Sequence, residues 1–84
     1  MELKDTVELM NSQDYKDRFK AEYYQTKIRK EKLSNLIIRQ EEGQLPFTPT
    51  CPMWLLKIQE TIMEHYLGVL EKRAKYEKIN LKEK

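Results

Sequence analysis

The chain has 84 residues, 36% of them charged and 39% hydrophobic, with a net charge of +2 at neutral pH. A domain this short hides only about 60–65% of the surface its unfolded form exposes, so its stability is marginal unless a disulfide, a metal or self-association helps. Cys51 is the only cysteine and His65 the only histidine, which excludes an internal disulfide, argues against a dedicated zinc site and leaves self-association.

Richness in Lys, Glu, Leu, Ile and Tyr, with only two glycines, is the composition of a helical or coiled-coil protein. No apolar run approaches the ~18 residues of a membrane span, and Met1-Glu2-Leu3-Lys4-Asp5 lacks a signal peptide's apolar core. The expectation is a soluble, cytoplasmic protein with no membrane partner.

Leu3, Val7 and Met10, spaced by four and three, predict a short amphipathic helix over residues 1–10. Asn11-Ser12 interrupts it, and Ser12 is the expected N-cap of a long helix over residues 12–42, with Asp14 near its positive end. Gly43 is the expected left-handed terminator. On this helix Tyr15, Phe19, Tyr23, Thr26, Leu33 and Ile37 fall within about 40° of one line. Ala21, Tyr24 and Ile28 lie nearly opposite. Two apolar faces imply a packing partner beyond one hairpin neighbour.

Residues 43–51 read as a turn, for Gly43 and Pro46, Pro49 and Pro52 cluster at its edges and within it. A second long helix follows over residues 52–80, with Pro52 in its first turn and Thr50 or Cys51 as cap. Leu55, Leu56, Gln59, Ile62, Met63, Tyr66, Leu70 and Ala74 mark its seam, and Gly68 lies away from that seam. Asn80 is the expected left-handed end, with Leu81 folding back and Lys82-Glu83-Lys84 frayed. The predicted fold is all-α: a short N-terminal helix, then a long antiparallel helical hairpin, assembling as a homo-oligomeric bundle.

There is no glycine-rich phosphate loop, nucleophile elbow or His-Glu-x-x-His pattern. Neither enzymatic activity nor a cofactor or metal is expected. Lone His65 and Cys51 read as ordinary helix-flank and loop-entry residues. Between Lys16 and Arg39 eight basic residues stand against three acids, interleaved with Phe19, Tyr23 and Tyr24. Cations attract phosphate and flat rings stack on bases, which is what a nucleotide site needs. The opposing reading is a solvated face paired with Glu60, Glu64 and Glu71. Lys30 falls on the apolar seam, where an ammonium must snorkel, pair or hold an anion. Phe47, Thr48, Thr50 and Trp54 add hydroxyls and rings beside a helix N-terminus, or else close off the hairpin end.

Tyr15 to Leu36, the Phe47-Thr-Pro-Thr-Cys-Pro52 turn and Gln59, Met63, Tyr66, Leu70 and Arg73 resemble small uncharacterised phage and prophage proteins related to a crAss-like phage protein. In size, helix order and proline-marked turn the chain is also similar to the phage helical-hairpin proteins that counter CBASS and Thoeris immunity. Those proteins are hexamers that sequester cyclic nucleotide or cyclic ADP-ribose signals between protomers. The resemblance implies a phage anti-defence protein in a bacterial cytoplasm, binding such a signal between subunits without turning it over. The residues best suited by type and placement are Tyr23, Tyr24 and Trp54 for stacking, Lys27, Lys30 and Arg39 for phosphates, and Thr48 and Thr50 for hydrogen bonds. The alternative is a hairpin that inhibits or scaffolds a protein partner through its second apolar face. Nucleic-acid binding ranks third, because acids on the second long helix oppose it.

Overall fold

The computed structural model describes residues 1–82; Glu83 and Lys84, at the expected frayed end, lie outside the described residues. Regular structure among the described residues is entirely helical. A 3-10 turn, Leu3–Thr6, runs into α1, Val7–Met10. The long helices are α2, Tyr15–Glu41, and α3, Met53–Glu77.

Helix α2 starts later than expected. Asp14 is its N-cap, accepting from the Lys16 amide at 3.0 Å. The Ser12 hydroxyl instead donates to Asp17 and accepts from the Asp14 amide. A carboxylate at the cap gains from the helix dipole as well as from the hydrogen bond, so it outcompetes the hydroxyl. At the other end Gly43 has φ +69. Its amide donates to the Gln40 carbonyl and that of Gln44 to the Arg39 carbonyl, a Schellman closure that only a residue tolerant of positive φ makes cheaply.

Helix α3 has no side-chain cap. Pro52 is its N-cap residue, and the Pro52 carbonyl accepts from the Leu55 and Leu56 amides; neither Thr50 nor Cys51 caps it. It ends at Lys78, which is left-handed (φ 57) in place of the expected Asn80. The reason is tertiary. Reversal at Lys78 lets the Ile79 amide bond the Ala74 carbonyl at 2.9 Å and buries Ile79 to 7% exposure.

The long helices run antiparallel. Tyr15 bonds Glu77, Tyr23 bonds Glu71, and Glu41 meets Lys57 at 3.5 Å. The core is Phe19, Tyr23 and Tyr24 of α2 against Leu67, Leu70 and Ala74 of α3, with Ile79 closing it and Leu9 and Leu81 packed alongside. At the open end of the hairpin, the Arg73 guanidinium lies 5.0 Å from the centre of the Phe19 ring and donates to both Glu77 and the Tyr15 hydroxyl.

Two expectations about faces change. Ala21, Tyr24 and Ile28 are buried within the single chain, because α1 and the 3-10 turn fold back along α2. Gln25 donates to the Thr6 hydroxyl, and Tyr24 donates to the Leu81 carbonyl. The second face of α2 therefore has its partner at home. On α3 the expected seam divides. Leu70 and Ala74 face α2, whereas Leu55, Ile62 and Tyr66 stay exposed.

Candidate functional site

The residues at i, i+4, i+7 and i+8 of a helix share one side. On α2 these are Tyr23, Lys27, Lys30 and Glu31; on α3 the matching strip is Glu64, Leu67, Gly68 and Glu71. Facing each other across the hairpin, these eight residues line a cleft of about 380 Å³. A hollow of about 390 Å³ continues past Tyr23 and Glu71 toward Ile79, Asn80 and Leu81.

Tyr23 fixes the middle of the cleft wall. Its ring is buried to 6% exposure, and its hydroxyl donates to the Glu71 carboxylate at 2.7 Å. Beside it stands Lys27, with Lys30 one turn further on; both are half-buried. Among the described residues, no ion pair within 4 Å ties either ammonium to Glu64 or Glu71. The pairing expected of the α2 cations with these α3 acids is thus not made at close range. Gly68 supplies the bare floor. A Cβ placed there meets nothing within 4 Å, so this glycine leaves open space where most residues would fill it.

Chemically the cleft is mixed: two ammonium groups, three carboxylates, an aromatic edge and an aliphatic floor. Cations hold phosphate or carboxylate groups, and carboxylates accept from the N–H edges of a heterocycle. Among the described residues no group of His, Cys, Asp and Glu is arranged to hold a metal ion, and no helix is long and apolar enough to cross a membrane.

Of the residues singled out in the sequence, Tyr23, Lys27 and Lys30 line the cleft. Tyr24 does not. It is buried to 4% exposure, edge-on to Tyr23 with ring centres 5.7 Å apart. Neither ring face of so buried a side chain is open to a base. Arg39, Thr48 and Thr50 are exposed toward the hairpin turn, and Trp54 is 64% exposed. None of these four lines the cleft. Sequence reasoning missed Glu31, Glu64, Leu67, Gly68 and Glu71. The signal was present in the Glu64, Gly68 and Glu71 spacing, which puts all three on one strip of α3.

No curated protein and no solved structure matches the chain. The sequence model of the family described as Sequestin matches residues 13–76, from just before α2 to the last turn of α3. The match takes in the hairpin and every residue that lines the cleft, and on that ground the chain belongs to the Sequestin family.

Proposed function

We propose that this protein is a phage-type anti-defence sponge. It would bind a small anionic nucleotide signal, cyclic in the leading reading, in a site completed by a second subunit, and hold it without chemical change. The observation that carries the reading is the cleft where Tyr23, Lys27 and Lys30 converge on Gly68. The family's name, which denotes sequestration, supports it.

In this reading Lys27 and Lys30 take the phosphates as point charges. Glu64 and Glu71 accept from base N–H groups, Leu67 packs on a base, and the Tyr23–Glu71 hydrogen bond holds that wall in place before ligand arrives. Exposed Trp54, Thr48, Thr50 and Arg39 reach a ligand only when offered by a neighbouring subunit. In this reading the Tyr23–Glu71 pair serves only to fix the wall, and the ligand leaves as it came. Free signal falls simply by mass action.

The test is depletion. Purified protein in molar excess is mixed with a panel of cyclic dinucleotides, cyclic trinucleotides and cyclic ADP-ribose at roughly 10 µM, a level at which sub-micromolar binding is essentially complete. Free ligand is then followed by chromatography. One ligand should disappear from the free pool and reappear intact after the protein is denatured, and Lys27→Ala with Lys30→Ala should restore it to the free pool. If every ligand stays free, or returns as a different compound, the proposal is wrong.

A further inference from the structure

The chain exposes more surface than its mass accounts for. A compact monomer of 10.2 kDa has roughly 5,300 Å² of accessible surface, against 6410 Å² here. The radius of gyration is 15.0 Å, where compact packing of this length gives about 12 Å. The surplus of roughly 1,100 Å² is of the order that one partner contributes to a standard protein interface, about 800 Å².

The excess has a location. Along the outer side of α3 stand Leu55 (44% exposed), Ile58, Ile62 (62%), Val69 and Tyr76 (90%), with Trp54 at its head. With His65 and Lys72 their spacing is three, four, three, four, three, four: a heptad seam over three repeats. Successive residues turn about 100°, so this stripe is centred well over 90° from the Leu70–Ala74 face that packs on α2. It is a second, unpaired apolar face. A 3.5-residue period is what one helix offers another when they coil together. A second copy of this chain carries the matching period by identity.

We infer that the outer seam of α3 packs against the same seam of a second copy, antiparallel, about a two-fold axis near the middle of the helix. Charge decides the direction. A parallel pair sets each seam position against itself, placing Lys72 on Lys72 and His65 on His65. An antiparallel pair sets Lys72 against an isoleucine or leucine, over which its stem lies while the ammonium reaches water. Gly68 and Glu64 sit on the flank between this seam and the cleft, so the second copy borders the cleft opening. That supplies the contact surface the sponge reading supposes, but it rests on surface, period and charge alone.

Light scattering and sedimentation on ligand-free protein test it, which keeps its failure distinct from a failure to bind nucleotide. A dimer is expected at roughly 100 µM. Ile62→Glu and Val69→Lys, at positions already exposed in the single chain, should keep the helical circular dichroism and weaken dimerisation at least roughly 100-fold. A nitroxide on the native Cys51 reads direction. Antiparallel helices of this length separate the two labels by roughly 35–50 Å, whereas a parallel pair brings them together. A monomer at every concentration, a dimer indifferent to both substitutions, or a short label separation each overturns the inference.

Discussion

Gly68 makes opposite demands on stability and on binding. It lies mid-way along α3, where glycine costs about 1 kcal/mol relative to alanine. A methyl group at that position meets nothing within 4 Å, so the lone hairpin has no packing reason to keep a glycine. In dilute protein Gly68→Ala should therefore stabilise by about 1 kcal/mol, raising Tm by roughly 4–8 °C for a domain this size. Gly68→Leu should also raise it, since leucine is a good helix former. Binding should respond the other way. Both side chains project into the 380 Å³ cleft, and leucine occupies far more of it. Ligand uptake should fall modestly for alanine and by at least roughly tenfold for leucine. Thermal melts by circular dichroism at low micromolar concentration, paired with the depletion assay, read both arms. A Tm that drops for Gly68→Ala would mean something already presses on that backbone. Full uptake by Gly68→Leu would mean the ligand sits elsewhere.

The core makes a plainer prediction. Leu70 is 0% exposed, and Leu70→Ala should cost about 2–5 kcal/mol, enough to unfold much of so small a domain at 37 °C; a Tm loss under about 5 °C would contradict its placement. Tyr24→Phe removes a hydroxyl bonded to the Leu81 carbonyl at 2.9 Å. It should cost about 1 kcal/mol and speed amide exchange at Ile79 and Leu81 more than in mid-α2. The Tyr15–Glu77–Arg73 cluster sets a pH window. Its hydrogen bond from Tyr15 holds the Glu77 carboxyl below the usual 4.5, so that contribution is present above about 4.5 and is lost as pH falls through the lowered value. The same bond to Glu77 raises Tyr15 above 10.0, so its share is present below about 10 and fades as pH rises through the raised value. Urea melts across pH should show both slopes, and Tyr15→Phe should flatten them.

The hairpin was legible because one short stretch carries Gly43 and all the prolines, a far stronger break than Asn11-Ser12 near the start of the chain. Helix ends were less legible, since several residues compete locally and distant contacts choose between them. Ser12 and Asp14 are both good caps, and Asn80 adopts left-handed backbone more readily than Lys78, yet burial of Ile79 selects Lys78. The partner of the second α2 face was hidden for a similar reason. No local pattern tells whether a four-residue helix such as α1 will dock on its own chain or on another. On the α2 side of the cleft Tyr23, Lys27 and Lys30 were visible, because their chemistry attracts notice on a basic helix, and Glu31 was not. The α3 half was not, because Glu64 and Glu71 read naturally as ion-pair partners for those lysines and Gly68 as a tolerated defect.

Sequestration sets a stricter demand than recognition. A sponge lowers free signal only when its Kd lies below the concentration at which the host effector responds, so affinity must come from an extensively enclosed ligand. Tight small-molecule sites bury about 70–90% of their ligand. A cleft between two helices covers a ligand from below and from two sides, leaving its top in water. Under the two proposals a second copy supplies the missing wall, for the apolar seam of α3 begins one short step around the helix from Gly68. Site and interface are thereby coupled. If both proposals hold, ligand should tighten dimerisation by the same factor that dimerisation tightens ligand binding, as linkage requires. Ile62→Glu, at a position that does not itself line the cleft, should then weaken nucleotide uptake while leaving the hairpin folded. Unchanged uptake in a demonstrably monomeric Ile62→Glu protein would show that the hairpin encloses its ligand alone.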